Sequence, residues 1–405
     1  MFKLYYKNNN KFKYFLGEKA SFSLEKSVNI KNKISYSVPP KLVDQSKLEI
    51  KRLLAEDIIE KSHSNIISPA FFIKKKNGDL KLVVDYREVN KCIRDDPWVI
   101  PNIEESIIRI GSKEYFSQID LSNGFNQIRI EEESKELTSF FLLGQQWQYK
   151  RVPFGIKTGP KIFQRYISNL LGDIDDITFY SKTIEDHRKT LLLVLKRLYE
   201  NRVKINFEKT KLFCKEINVL GYKINKEGIF PKTEYLHNKI FSKEIQTKRE
   251  LQQLVGVLNW YRKFIPDMSR KLHKITDMLK NKHGKIMLDN EMKRQIIEMR
   301  KFIRENYKLS FPDYTRKFTL HCDASDIGLG SVLTQEGNII GYYSKKFSGS
   351  ELNYTIVEKE YLAIVLSMIK FKNIIQGSYV EVFTDSRNCV FENKKIPLEL
   401  PAGNL

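Results

Sequence analysis

A strand-like stretch, FSQIDLSNGFNQI, places Asp120 at the close of its first strand, and GDIDDITFYS carries the adjacent pair Asp175 and Asp176 just ahead of apolar residues. Only a fold that sets strand ends side by side brings these three carboxylates together. Two divalent cations about 3.5–4 Å apart, clamping the attacking and leaving oxygens of a phosphoryl transfer, need such a cluster of hard oxygen ligands. An aspartate at a strand end also serves as a turn former or a solvated residue. Spacing alone leaves both readings open.

The surrounding pattern mixes strands and helices without a regular βαβ alternation, which predicts an α+β fold. Residues 1–30 have no clear period and read as an arm, and 35–40 read as extended. Helical spacing runs through 47–60 in Leu48, Ile50, Leu53, Leu54 and Ile58. AFFIKKKNGDLKLVVDY, residues 70–86, is a hairpin signature, two strand-like runs flanking Asn77-Gly78. Strands are expected over 115–120 and, by alternation, over 125–130, with a turn at 122–124 between them. An amphipathic helix over 183–202 opens with Thr183 and Asp186 at capping-box spacing. A strand over 217–224, helices over 240–307 and a new β-rich domain from Lys317 complete the reading.

The chain has 405 residues, enough for two to four domains. Its 41% hydrophobic and 12% aromatic content predicts that most of it folds. Seventy Lys+Arg against 49 Asp+Glu give a net charge of +21, which points to a polyanionic partner; a lysine-rich coding bias gives the same count. Cys92, Cys214, Cys322 and Cys389 are far apart, without zinc-ligand spacing, and read as reduced thiols. No secretory signal and no run near ~18 apolar residues is found. An intracellular soluble protein without membrane contact is expected.

The stretches IKKKNGDLKLVVDYREVN, FSQIDLSNGFNQIRI, RVPFGIKTGPKIFQR, DDITFYSKTIEDH and VLGYKINKEGI resemble, in the same order, the successive motifs of gypsy-type long-terminal-repeat retrotransposon reverse transcriptases. The resemblance runs from about residue 35 to about residue 393. It implies a right-hand polymerase of fingers, palm and thumb, then a helical connection and a truncated RNase H-like α/β domain. The corresponding spans are an arm over 1–34, fingers and palm over 35–235, thumb and connection over 236–312, and an incomplete RNase H-like domain over 313–405. The implied activity is RNA-directed DNA polymerisation with two Mg²⁺ or Mn²⁺ ions per site. RNA template, DNA primer, RNA:DNA hybrid and dNTPs are the implied partners, in the cytoplasm, in virus-like particles or in the nucleus. No protease-type Asp-Thr-Gly or integrase-like zinc cluster occurs, so a piece of a polyprotein is expected, its oligomeric state open.

Matched residue by residue, Asp120 takes the place of the first metal-binding aspartate, and Asp175 and Asp176 that of the YxDD pair. Phe125 matches the aromatic steric gate against a ribose 2′-OH; it reads equally as a half-buried strand Phe. Lys75 and Lys81 match the basic fingers residues that hold the triphosphate. Where the family usually has Arg, Lys81 offers a point charge without the bidentate fork. Pro153, Phe154, Gly155 and Gln164 match the segment lining the nucleotide and template side. Leu220, Gly221 and Tyr222 match the primer grip. Lys209 is a candidate for protonating pyrophosphate, or a surface lysine.

KFTLHCDASDIGLGSVLTQ, NYTIVEKEYLAIVLSM and VEVFTDSRN resemble the RNase H domain of the same polyproteins. They offer Asp323 and Asp385 at strand ends and Glu360 near a helix start as a second two-metal set. A fourth acidic residue is implied near that domain's end; KKIPLELPAGNL carries no such aspartate, so an incomplete nuclease is expected.

One departure stands out. In the family a strand ending in an aromatic residue leads into the Asp-Asp turn, whereas here FQRYISNLL runs straight to Gly172 and Asp173 holds the aromatic position. A strand of roughly 5–6 residues is expected to be missing. A decayed element, a wrongly excised gene segment, or a strand rebuilt from 166–172 would each account for it. The rival functional expectations are a non-catalytic relic that still binds nucleic acid and a generic basic scaffold.

Overall fold

The computed structural model describes residues 2–25, 36–75, 78–99, 103–172, 177–233, 239–241, 243–280, 286–305 and 308–389. In chain order the elements are α1 (Phe2–Asn8), α2 (Val43–Ala55), β1 (Ile59–Lys61), β2 (Ser68–Lys74), β3 (Leu80–Val84), α3 (Arg87–Cys92), α4 (Ile103–Ile110), β4 (Tyr115–Leu121), α5 (Glu132–Lys135), β5 (Phe140–Leu142) and β6 (Gln145–Tyr149). There follow α6 (Gly159–Leu171), β7 (Thr178–Ser181), α7 (Ile184–Glu200), β8 (Ile205–Cys214), β9 (Glu216–Val219), β10 (Tyr222–Asn225) and β11 (Gly228–Pro231). The last are α8 (Lys248–Trp260), α9 (Met268–Met278), α10 (Asn290–Arg304), β12 (Phe318–Ala324), β13 (Gly328–Gln335), β14 (Asn338–Lys346), α11 (Ile356–Ile375) and β15 (Val380–Phe383). The chain is α+β and divides into two compact units, Met1–Pro101 with Tyr115–Cys214, and Asn102–Glu114 with Lys215–Leu405.

The first unit holds two sheets. One has the order β1-β6-β5-β2-β3 and contains the expected hairpin, with Ala70 opposite Val84 and Lys74 opposite Leu80. Leu80, Leu82 and Val84 face inward while Lys81 points out, the period-2 alternation of a half-buried strand. The other sheet, β7-β4-β8, is antiparallel throughout. Helix α7 packs on it through Leu191, Val194, Leu195 and Leu198, all buried. Its start is fixed as expected, the Thr183 side chain accepting the Asp186 N–H at 3.2 Å.

Four expectations change. Residues 2–25 are no loose arm: Tyr5, Phe15, Ala20 and Phe22 are buried in the main core, and the Asn9 amide pairs with both backbone groups of Ile205. Their aromatic residues anchor an irregular wrap, which has no period to read. The helix expected over 47–60 is α2, which stops at Ala55; Asp57 adopts a left-handed conformation (φ 59°) and Ile59 begins β1. Phe125 lies in a 3-10 turn, Gly124–Gln127, rather than in a strand. The alternation there is misleading because Gln127 is buried, its Nε2 donating to the Ser122 and Lys204 carbonyls. The strand expected over 217–224 is a hairpin, β9–β10, turning on the left-handed pair Leu220 (φ 48°) and Gly221 (φ 86°).

In the second unit, β9, β10 and β11 form a meander. Helices α8, α9 and α10 share a core that includes Leu251, Leu254, Leu258, Leu272, Met299 and Ile303. A capping box, Thr247 with Glu250, starts α8. The last sheet has the order β14-β13-β12-β15, with β15 parallel to β12 and α11 packed on one face. Phe318, Leu320 and Cys322 meet Ala363, Ile364 and Phe371 there. All four cysteines are free thiols. Among the described residues no helix is long and apolar enough to cross a membrane.

Candidate active sites

Asp120 is half-buried near the end of β4. Its N–H donates to Thr210 Oγ1 at 3.2 Å, where β8 bulges against β4. Asp175 and Asp176 lie outside the described residues. The chain re-enters beside Asp120 at Ile177, whose carbonyl accepts the Ile119 N–H at 3.0 Å. Among the described residues no strand lies between α6 and β7, and β4 is the only strand neighbour of β7. A strand rebuilt from 166–172 is excluded, because α6 continues to Leu171 and Gly172 caps it, its N–H on the Ser168 carbonyl. Ile167 and Leu171, four residues apart, are buried on one face of that helix, and burial at helical spacing outweighs any strand tendency.

A cavity of about 430 Å³ gathers Lys75, Lys81, Phe154 and Gly155. Asn123, Asn126, Glu49 and Arg52 also line it, residues the sequence reading did not single out. The Phe125 ring packs edge-on against Phe154 (centroids 4.9 Å apart) and against Phe163 (5.2 Å), on the border of the cavity. Gly124 is required here: a Cβ would fall 2.7 Å from the Phe163 ring. Asn90, also missed, holds the loop from both sides, donating to the Gly155 carbonyl and accepting the Lys157 N–H, each at 2.8 Å. Gln164 on α6 and the exposed Lys209 on β8 are not among the residues lining the cavity.

In the second unit, Leu220 and Gly221 form the tip of the β9–β10 hairpin and Tyr222 stacks on Trp260 at 5.8 Å with 8° between planes. Lys263 Nζ lies 3.7 Å from the Tyr222 ring centroid. A Cβ at Gly221 would come within 2.3 Å of Trp260, so close approach as well as backbone conformation demands glycine. Trp260 belongs to α8 and no local pattern marks it as a partner.

Asp323, Glu360 and Asp385 converge as expected, each offering a carboxylate oxygen within 4.8 Å of the others. Glu360 is 4% exposed; its Oε1 accepts the Ala324 N–H at 3.1 Å and its Oε2 has no hydrogen-bond partner. Burial, with the charges of Asp385 and Asp323 adding to it, raises the Glu360 pKa. Asp323 is raised in the same way, by burial first and then by Asp385 and Asp267. An orphaned buried oxygen inside three clustered carboxylates is the electrostatic situation a divalent cation relieves, so the donor set fits a metal. Asp267, which sequence alone did not mark, leans on Gly330, the cross-strand partner of Asp323: a Cβ at 330 would lie 2.3 Å from its Oδ1.

Residues 73–224 match the family described as reverse transcriptase (RNA-dependent DNA polymerase), and 288–382 match an RNase H-like domain found in reverse transcriptase. The retrovirus-related Pol polyprotein from transposon 297 of Drosophila melanogaster is 33% identical over 356 residues, 83% of this chain and 33% of that protein. The corresponding polyprotein from transposon gypsy of the same fly is 31% identical over 370 residues, 85% of this chain and 36% of its own length. The chain thus spans about a third of the curated relatives it matches. A foamy viral protease-reverse transcriptase, dRH form, solved with double-stranded DNA, superposes with a TM-score of 0.82 at 24% identity, covering 94% of this chain and 70% of that one. The same viral protein solved with an RNA/DNA hybrid gives 0.79 at 24% identity, covering 94% and 54%. These likenesses establish the fold, and the family implies use of divalent metal. The chain belongs to the reverse transcriptase family of gypsy-type retrotransposon Pol polyproteins, with a reverse transcriptase domain followed by an RNase H-like domain.

Proposed function

We propose that the chain is the RNA-directed DNA polymerase portion of a retrotransposon Pol polyprotein, adding dNTPs to a primer 3′-hydroxyl on an RNA template. The observation that carries this reading is the single cavity that joins Lys75, Lys81, Phe154 and Gly155, with Asn123 in its wall three residues beyond Asp120.

Asp120, Asp175 and Asp176 would hold two Mg²⁺ or Mn²⁺ ions. Bound there, the metals lower the pKa of the attacking hydroxyl and neutralise charge on the phosphate undergoing displacement. Lys75 and Lys81 pair with the triphosphate, and Gly155, without a side chain, lets the backbone approach the nucleotide. Phe125, braced by Phe154 and Phe163, fills the space a 2′-OH would need. Gln164 faces the template side, Lys209 delivers a proton to pyrophosphate, and Leu220, Gly221 and Tyr222 grip the primer. In the RNase H-like domain, Asp323, Glu360 and Asp385 would hold metals for hydrolysis of the RNA strand of a hybrid. An intracellular location follows from these partners.

A second reading, a relic that binds primer-template without extending it, is favoured by β7 having β4 as its one strand neighbour among the described residues. Primer extension on an RNA template with Mg²⁺ or Mn²⁺ separates the two. Incorporation abolished by Asp120→Asn supports the polymerase; salt-sensitive duplex binding with no incorporation supports the relic.

A further inference from the structure

His187 is completely buried between α7 and the sheet that carries Asp120. Its Nε2 lies 2.8 Å from Ser117 Oγ on β4, and its Nδ1 lies 3.3 Å from Ser181 Oγ on β7. Ser117 Oγ also accepts the Phe213 N–H at 3.1 Å. Phe213 is the left-handed residue (φ 52°) of the bulge where two residues of β8, Leu212 and Phe213, oppose the single Ser117 of β4, between Cys214 opposite Phe116 and Lys211 opposite Gln118. A neutral imidazole can bridge the two hydroxyls in either tautomer, one ring nitrogen donating and the other accepting, while Ser117 Oγ takes the Phe213 N–H. Rings from all three strands enclose the imidazole: Phe179 stacked at 5.1 Å, Phe213 at 5.2 Å and Tyr115 at 6.2 Å.

This tie falls where the sheet is weakest. β7 is bordered by β4 over four residue pairs, Tyr115↔Ser181 to Gln118↔Thr178, and by no other strand among the described residues. A sheet whose register rests on so few pairs slips easily unless side chains pin it. Ser117 is three residues from Asp120, and β7 begins directly after Ile177, to which Asp176 is bonded. We propose that His187 is a positioning residue of the polymerase centre, pinning β7 to β4 so that Ile177, bonded in sequence to Asp176, keeps its place beside Asp120. The inference rests on the polymerase reading above. His187 touches no substrate; it reinforces a strand that has one strand neighbour among the described residues.

The test uses the full chain carrying Asp323→Asn, Glu360→Gln and Asp385→Asn, which removes the other carboxylate cluster as a metal site. In that background His187→Phe keeps the aromatic packing and deletes both hydrogen bonds, His187→Gln keeps an amide within reach of Ser117, and Ser117→Ala with Ser181→Ala removes the bonds from the strand side. Mn²⁺ affinity is read by electron paramagnetic resonance, single-nucleotide incorporation by kcat and KM, and folding by thermal melting. The expected result is a melting curve and duplex affinity close to the parent, Mn²⁺ affinity down about tenfold and kcat down about 100-fold in His187→Phe, with KM for dNTP nearly unchanged. The double serine variant should behave alike, and His187→Gln should recover most of the loss. Parental Mn²⁺ affinity in both His187→Phe and the double serine variant overturns the proposal, as does a loss that tracks melting in every variant. A parent that binds Mn²⁺ but extends no primer defeats the polymerase reading alone, and the Mn²⁺ comparison still decides the role of His187. A parent that binds no Mn²⁺ defeats both.

Discussion

The Lys81 ammonium sits over the Phe154 ring, its Nζ 4.8 Å from the ring centroid, in the wall of the cavity that also holds Lys75 and Gly155. An exposed cation–π contact contributes about 0.5–1 kcal/mol, less than the roughly 1.5–3 kcal/mol of a hydrogen bond to a charged group. In the proposed function a triphosphate would therefore draw Lys81 off the ring. Lys81→Ala is expected to raise KM for dNTP about tenfold with kcat changed less than about threefold. Lys81→Arg restores a bidentate fork and should lower KM about threefold. Steady-state incorporation measures both, and an unchanged KM in Lys81→Ala would remove this lysine from the nucleotide site.

Gly221 and Trp260 make a second dependent pair, since a Cβ at 221 would sit 2.3 Å from the indole and the backbone there is left-handed. Gly221→Ala should destabilise the chain by about 1–3 kcal/mol, combining clash with strain. Adding Trp260→Ala removes the clash and leaves the strain, so the double variant should lose less than the sum of the singles. Urea melts of the four proteins measure the coupling; strict additivity would mean the ring simply moves aside.

How much of this was legible in the sequence depended on whether a pattern was local. The hairpin at Gly78, the capped α7 and the carboxylates Asp323, Glu360 and Asp385 were readable because turn chemistry, helix caps and motif order are written in short stretches. Phe125 misled because alternation does not distinguish a strand from a 3-10 turn in which Gln127 is buried by hydrogen bonds. The buried packing of Tyr5 and Phe15 depends on a core assembled from distant segments. Trp260 against Gly221, and Asp267 against Gly330, are contacts between elements far apart in the chain, which no local pattern marks. The departure before Ile177 was legible for the opposite reason: it is a gap in an ordered series of sequence motifs.

Burial holds the His187 imidazole below its ordinary pKa. The unfolded chain, with a pKa of about 6.5, then binds a proton that the folded chain resists. This contribution to stability is complete above about pH 6.5 and is lost as the pH falls from there toward the lowered folded value. Urea midpoints at pH 7, 6 and 5 should therefore decline more steeply for the parent chain than for His187→Phe, which has nothing to titrate at that position. Parallel declines would show that the imidazole becomes charged in place without cost.

Glu360 combines burial, a raised pKa and an oxygen without a hydrogen-bond partner, beside two further carboxylates. In metal-free buffer near neutral pH these charges repel one another, so Glu360→Gln, which removes one of them and keeps the shape, should raise the melting temperature by a few degrees, on the order of 1 kcal/mol. Millimolar Mn²⁺ should reverse the order. A cation that binds only the folded chain stabilises it by about 2.7 kcal/mol at a hundredfold excess over Kd, and the variant lacks the ligand that faces the cluster from α11. The parent should thus gain several degrees on adding Mn²⁺ while Glu360→Gln gains little, provided both carry Asp120→Asn to weaken the other metal site. Equal gains would mean that Asp323 and Asp385 hold the ion without Glu360. No gain in either would mean that the three carboxylates converge for a reason other than metal.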